Sequence, residues 1–227
     1  MFLLLEDIVL EPLSGEACLL SVQGPGAEEV LRTLGLPLPE AAVSEVPAAD
    51  GSPGLRLLRR DRTGLGGFDL LVPTAVLATT WQAALGAGAT PIGLLALDAL
   101  RVVAGRARWP EDGTDRSLVH ELALEVEAVS FDKGCYVGQE IINRVETHGQ
   151  VNKRLCGLVM AEDALPPHGA EVVLGETVVG TITSTTRVDG RALALGVLRK
   201  AAWEPGQAVV VRAGDREVAA VTSALPF

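Results

Sequence analysis

The sequence has few of the residue types that mark secreted or membrane proteins. Its three cysteines are widely spaced and form no C-x-x-C pair, which is typical of a reducing compartment and not of a disulfide scaffold. No apolar run approaches the roughly 20 residues that span a bilayer. Residues 1–5 are apolar but lack the basic segment of a signal peptide, so they predict a strand. We therefore expect a cytoplasmic protein with no membrane partner.

Positive charge and aromatic side chains are also scarce. The chain has 19 Lys and Arg residues against 29 Asp and Glu, which gives a formal net charge of −10. Such a field repels phosphate backbones, so we expect no general binding of nucleic acid, although a local cationic cluster can still hold one small anion. Because apolar residues make up 48% of the chain and aromatics 4%, the core must be mainly Leu, Val and Ala.

The first part of the chain, residues 1–150, mixes helix and strand patterns and predicts an α+β body. Residues 36–53 carry four prolines, which predict a loop. The predicted elements are a strand at 17–22, a helix at 27–32, a β-hairpin from 55–60 and 68–72, a helix from Pro73 to about Leu85, and a mostly buried helix at 94–103.

The second part, residues 151–227, consists of short runs rich in Val, Leu and Thr that regularly spaced glycines separate. This pattern predicts a small antiparallel barrel or sandwich. The fold class is therefore α+β, with a domain boundary near residue 150.

Rare residue types collect at this boundary. Residues 131–156 contain the single tyrosine, both asparagines, and two each of the three lysines and three cysteines. Loops collect polar residues, so a polar turn between domains is one explanation of this cluster. A functional site is the other.

The local pattern around Cys135 favours a site. Gly134 and Gly138 allow a tight backbone path, and Gln139 opens a helix that we expect to end at Gly149. Cys135 would then lie before a helix N-terminus and two residues from Lys133, a setting that favours the thiolate. It is a candidate reactive thiol, with a packed small side chain as the alternative.

Residues 133–140 read Lys-Gly-Cys-Tyr-Val-Gly-Gln-Glu and are followed by Arg144, Gly149 and the Asn-Lys-Arg run at 152–154. This segment resembles the signature of the YgfZ-type branch of the glycine-cleavage T-protein (aminomethyltransferase) superfamily. Further segments that resemble the family lie at 67–70, 97–101, 119–124, 179–184 and 225–227. The resemblance covers nearly the whole chain.

The resemblance implies a T-protein-like folate-binding body followed by a small C-terminal β-barrel, with tetrahydrofolate or a related reduced folate as cofactor. It implies that Glu121 recognises the pterin ring, since one carboxylate can accept two parallel N–H bonds. Cations must meet the anionic glutamate tail of folate, and the candidates are Lys133, Arg144 and Arg154. Arg101 can equally be a helix-surface residue. The remaining candidates come from the motif and are Gly134, Cys135, Tyr136, Gly138, Gln139 and Glu140.

Family members are longer at the N-terminus, and their segment that supplies the catalytic aspartate of the transferases has no counterpart here. The resemblance therefore implies a shortened, folate-binding YgfZ-type protein that supports iron–sulfur enzymes, including those that modify tRNA. Its partners would be a reduced folate and iron–sulfur proteins. The alternative is a folate-dependent aminomethyltransferase, for which the sequence identifies no paired carboxylate or histidine as general acid or base.

Two other classes fit the residues poorly. A metal or redox site from Cys135, His148 and Cys156 matches no standard zinc spacing, so we predict no metal site. The glycine-rich run at 63–67 lies in a predicted hairpin turn and not between a strand and a helix, so it fails the dinucleotide fingerprint.

Overall fold

A computed structural model of the chain describes residues 9–39, 41–48, 54–149 and 151–227. The chain forms two compact units, Met1–Ile92 and Gly93–Phe227. In the part of the chain so described, no helix is both long enough and apolar enough to cross a membrane. The strand predicted at residues 1–5 lies outside the described residues.

The described residues of the first unit form a four-stranded antiparallel sheet in the order β1-β4-β3-β2 and two helices. Its buried core is aliphatic apart from Phe68, as the composition predicts. The predicted hairpin and both predicted helices are confirmed. The elements are β1 (Ala17–Gln23), α1 (Ala27–Thr33), β2 (Val43–Val46), β3 (Leu55–Arg59), β4 (Gly67–Pro73) and α2 (Thr74–Gly86).

Strand β2 corrects the prediction that residues 36–53 form only a loop. Its four residues pair antiparallel with β3, with Val43 opposite Leu58 and Val46 opposite Leu55. A strand so short, at the edge of a sheet and next to prolines, has little sequence pattern of its own. The pairing with β3 therefore determines the strand.

The second unit contains a closed barrel of six antiparallel strands in the order β10-β5-β8-β7-β6-β9. The predicted small antiparallel barrel is thus confirmed. Its glycines also serve packing, since a Cβ on Gly180 would lie 2.3 Å from the carbonyl oxygen of Val197. The strands are β5 (Lys153–Met160), β6 (Glu171–Leu174), β7 (Thr177–Val188), β8 (Arg191–Arg199), β9 (Ala208–Ala213) and β10 (Arg216–Ser223).

Three helices and two 3₁₀ turns complete the second unit. They are α3 (Leu94–Val103), a 3₁₀ turn (Val119–Leu122), α4 (Glu125–Ala128), α5 (Gln139–His148) and a 3₁₀ turn (Lys200–Ala202). Helix α5 begins at Gln139, and its C-cap is Gly149, whose φ of 64° is the left-handed conformation that glycine adopts at a helix end. Both ends agree with the sequence prediction.

Helix α3 is not mostly buried, contrary to the prediction. Leu94 is 82% exposed and Leu95 is 88% exposed, whereas Val102 is fully buried in a cluster with Leu155 and Leu195. Apolar residues occur on several faces of this helix, so their number does not reveal which face packs. Only its C-terminal turn is enclosed against the barrel.

A buried polar network fastens this C-terminal turn. The Arg101 guanidinium, in a residue only 6% exposed, donates to Asp98 Oδ1 at 2.6 Å, Asp112 Oδ2 at 2.7 Å and Ser184 Oγ at 2.7 Å. The hydroxyl groups of Thr183 and Ser184 donate to Asp112 Oδ1. Arg101 is therefore a structural residue that joins α3, the 106–118 connection and β7, and its interpretation as a surface residue is wrong.

Candidate functional site

Glu121 is the most enclosed of the predicted site residues, with 7% of its surface exposed. It lies in the 3₁₀ turn Val119–Leu122. Two hydrogen bonds stabilise the turn: Leu118 N–H donates to Glu121 Oε2 at 3.1 Å, and Glu121 N–H donates to the Leu118 carbonyl at 3.0 Å. Ala123 ends the turn in the left-handed region, with φ of 55°. The backbone therefore fixes the position of the carboxylate before any ligand arrives.

Lys153 provides the opposite charge for this carboxylate. Its Nζ lies 3.5 Å from Glu121 Oε2, and its side chain is 44% exposed. Because the Lys153 side chain is nearly half exposed and the two groups are 3.5 Å apart, water screens this pair and it contributes little to stability. Within the described ranges, Glu121 Oε1 accepts no hydrogen bond, so one carboxylate oxygen is held and the other is available.

His120 lies next to Glu121 in the same turn and is 8% exposed. Neither of its ring nitrogens has a hydrogen-bond partner among the residues that the structure describes. Nε2 lies 3.5 Å from Glu146 Oε2 on α5, within reach of an ion pair but without hydrogen-bond geometry. The structure thus brings His120, Glu121, Glu146 and Lys153 together.

The motif loop at residues 133–140 forms its own set of contacts. The Lys133 ammonium lies over the Tyr136 ring, 4.7 Å from its centroid. Tyr136 N–H donates to Gln139 Oε1 at 3.2 Å, and Gln139 N–H donates to the Tyr136 carbonyl at 3.3 Å. Gly138 adopts φ of 90° as the N-cap of α5, which explains why glycine stands there. These contacts hold Lys133, Tyr136 and Gln139 as one group.

The other predicted site residues lie on the surface. Cys135, Glu140, Arg144 and Arg154 are exposed, as are Gly134 and Gly138. In the described part of the chain, no hydrogen bond or ion pair joins any of them to Glu121. The structure therefore brings the candidate residues together as two groups, one around Glu121 and one around Tyr136.

The cysteines differ in their surroundings. Cys135 is exposed and Cys18 is partly exposed, whereas Cys156 is buried. Burial raises the pKa of the Cys156 thiol to about 11. Among described residues, no group of three or more His, Cys, Asp or Glu side chains is placed to hold a metal ion. The side chain of His148 lies outside the described part.

Sequence reasoning did not select His120, Glu146 or Lys153 as site residues. Lys153 is 32 positions from Glu121, and Glu146 is 26 positions from His120. Such contacts across the fold leave no local pattern in one sequence. The available signal was rarity, because the chain has only three histidines and three lysines.

Comparison with known proteins identifies the barrel. Residues 153–227 match the family model described as the glycine cleavage T-protein C-terminal barrel domain. This segment is therefore similar to a T-protein barrel domain. The match begins at the first residue of β5 and includes all six strands of the barrel.

Relatives extend the likeness beyond the barrel. An aminomethyltransferase of Thermosynechococcus vestitus is 30% identical over 94% of this chain and 59% of its own length. A putative chloroplastic transferase of Arabidopsis thaliana is 27% identical over 98% of this chain and 51% of its own length. The chain therefore spans between half and three fifths of the length of these curated relatives.

A solved structure gives the fold. The crystal structure of glycine cleavage system aminomethyltransferase T from Bartonella henselae superposes with a TM-score of 0.76 at 23% identity, covering 92% of this chain and 59% of that one. The chain has the T-protein fold, as the sequence resemblance implied. The comparisons support the T-protein superfamily, while the YgfZ-type branch stays a prediction.

Proposed function

We propose that the chain is a folate-binding protein of the YgfZ type, which binds tetrahydrofolate or a related reduced folate through Glu121. The observation that carries this proposal is the enclosed carboxylate of Glu121, which is 7% exposed and has one oxygen fixed by Leu118 N–H. Buried carboxylates need hydrogen-bond donors, and the amino-pyrimidine edge of a pterin supplies two parallel N–H groups. The residues present therefore fit this ligand.

The cationic side chains suit the anionic tail of folate. Arg144 and Arg154 are exposed, and the ammonium group of Lys133 lies over the Tyr136 ring. In a chain of net charge −10, these groups offer local positive charge to a carboxylate ligand. We propose that they contact the glutamate tail, with Gly134, Cys135, Gly138, Gln139 and Glu140 forming the nearby loop and helix start.

The proposal also includes a cellular role for the chain. The Lys-Gly-Cys-Tyr-Val-Gly-Gln-Glu run supports a YgfZ-type protein that helps to maintain iron–sulfur enzymes, including those that modify tRNA. In a bacterium without its own YgfZ-type protein, the wild-type chain should restore a tRNA modification made by an iron–sulfur enzyme, measured by nucleoside mass spectrometry. Equal restoration by Glu121→Gln would contradict a role for folate in this activity.

Aminomethyl transfer is a second candidate function. The names of the curated relatives favour it, and so does the His120–Glu146 contact, because a histidine beside a carboxylate can act as a general acid or base. Folate-dependent release of ammonia from an aminomethyl-loaded lipoyl carrier would establish this activity. Loss of that release in both Glu121→Gln and His120→Phe would assign it to this site.

Titration of tetrahydrofolate into matched variants tests the assigned role of Glu121. Glu121→Gln keeps the size of the side chain but removes its charge, so we expect about 10- to 100-fold weaker binding. Glu176→Gln is the control, because Glu176 is exposed at the turn between β6 and β7. Equal affinities for the two variants would show that Glu121 does not contact the ligand.

A further inference from the structure

Helix α3 ends in four backbone carbonyl groups, those of residues 100–103, that have no N–H partner inside the helix. Three of these carbonyls accept N–H groups from residues 104–106, which follow the helix directly. The fourth, that of Val103, accepts the N–H of Phe227 at 2.9 Å, although Phe227 lies 124 positions later in the sequence. A distant part of the chain thus completes the hydrogen bonding of this helix end.

The side chains beside this hydrogen bond pack as an apolar cluster. Val102 on α3, Leu155 on β5 and Leu195 on β8 are buried together, and the partly buried Leu225 and Phe227 pack against them. Burial of apolar surface is the dominant favourable term in folding, so the cluster favours contact between the end of α3 and the barrel wall. Residues 225–227 therefore contribute both backbone and side-chain contacts to this junction.

Two glycines leave room for the side chains of residues 225–227. A Cβ on Gly157, in β5, would lie 2.9 Å from two carbon atoms of the Phe227 ring, and a Cβ on Gly105 would lie 2.7 Å from the Cβ of Leu225. Both distances are shorter than the roughly 3.5–4.0 Å at which carbon atoms make favourable contact. Gly105 also has φ of 69°, which favours glycine by itself, so Gly157 is the more specific sign of this close packing.

The end of α3 has two attachments to the barrel. One is the polar network in which Arg101 donates to Asp112 and Ser184, and the other is the apolar cluster that residues 225–227 complete. The beginning of the helix adds no apolar attachment through Leu94 and Leu95, whose side chains are exposed. Loss of the second attachment would therefore leave this helix end held mainly by its polar network.

We propose that residues 225–227 form a strap that closes on the C-terminal turn of α3, and that opening of the strap frees this turn while the barrel stays folded. The barrel core is a separate cluster that contains neither Leu225 nor Phe227, so it does not depend on the strap. Local openings of this kind cost less free energy than global unfolding. The strap thereby controls how often the 106–118 connection, which leads to the turn of Glu121, becomes mobile. This inference does not depend on the folate function.

Native-state hydrogen exchange, followed amide by amide by NMR, tests the strap in the full chain. Phe227→Ala removes the ring but keeps the N–H, so the amides of residues 104–106 and Asp112 exchange about 10- to 100-fold faster. The amide of Ile182, which is hydrogen-bonded within the barrel, keeps its wild-type rate. Phe131→Ala is the matched control, because Phe131 is 49% exposed, and it changes none of these rates.

Gly157→Ala provides a second variant that leaves the strap residues unaltered. Its new methyl group occupies the space of the Phe227 ring, so the amides of residues 104–106 exchange about 10-fold faster, and this variant decides the test if Phe227→Ala does not fold. Wild-type exchange of these amides in both variants would overturn the proposal. Equal acceleration at Ile182 would also overturn it, because the ring would then support the whole unit and not one turn.

Discussion

Replacing Arg101 with methionine should destabilise the second unit strongly. The Arg101 and Asp112 side chains are 8% and 0% exposed, and Nη1 lies 2.7 Å from Asp112 Oδ2. Met fills similar volume but removes the cation that pairs with the buried Asp112 carboxylate, which keeps its hydroxyl and N–H donors. Loss of one member of a buried ion pair typically costs about 3–5 kcal/mol, so we expect a melting temperature lower by about 6–20 °C.

Chemical denaturation of matched variants checks this reasoning. Arg187→Met is the control, because Arg187 pairs with Asp163 at the surface, where their side chains are 49% and 58% exposed. That change should cost less than about 1 kcal/mol. Adding Asp112→Asn to Arg101→Met should recover stability, because it removes the uncompensated charge. Equal unfolding midpoints for Arg101→Met and Arg187→Met would refute the argument.

Three further predictions follow from local packing and chemistry. Iodoacetamide at neutral pH should label the exposed Cys135 faster than Cys156, because burial raises the pKa of the Cys156 thiol to about 11 and so lowers its thiolate fraction. Equal labelling rates of the two cysteines, measured by mass mapping, would contradict this. Gly180→Ala should lower the free energy of unfolding by about 1–3 kcal/mol, because the new Cβ would meet the Val197 carbonyl oxygen. Gly93→Ala is the control and should change the free energy of unfolding little, because no atom lies within 4 Å of the position of its Cβ. The 227 residues alone should release no ammonia from an aminomethyl-loaded lipoyl carrier, because they match only 59% of the length of the curated transferases; folate-dependent turnover would favour the second candidate function.

The elements that could be predicted from the sequence have strong local patterns. The barrel strands are short runs rich in Val, Leu and Thr that glycines separate, and the β3–β4 hairpin surrounds a glycine-rich turn. Helix α5 has a glycine at each end, both with positive φ. Strand β2 was missed because the pattern that determines it lies in its neighbour β3 and not in its own four residues.

The candidate site was only partly predictable for a similar reason. Resemblance selected Glu121 and the motif loop, but the partners of a side chain depend on contacts between distant parts of the chain. Arg101 meets Ser184, which is 83 positions away, and Glu121 meets Lys153 across 32 positions. A buried cation such as Arg101 therefore looks the same in the sequence as one on a helix surface.

Equilibrium titration of the folded wild-type chain with tetrahydrofolate tests the central claim most directly. The account predicts saturable binding of one folate per chain, with an affinity that falls about 10- to 100-fold in Glu121→Gln and stays unchanged in Glu176→Gln. Circular dichroism and a cooperative melt would establish that each sample is folded. Absence of binding up to millimolar tetrahydrofolate, from such a sample, would contradict the account.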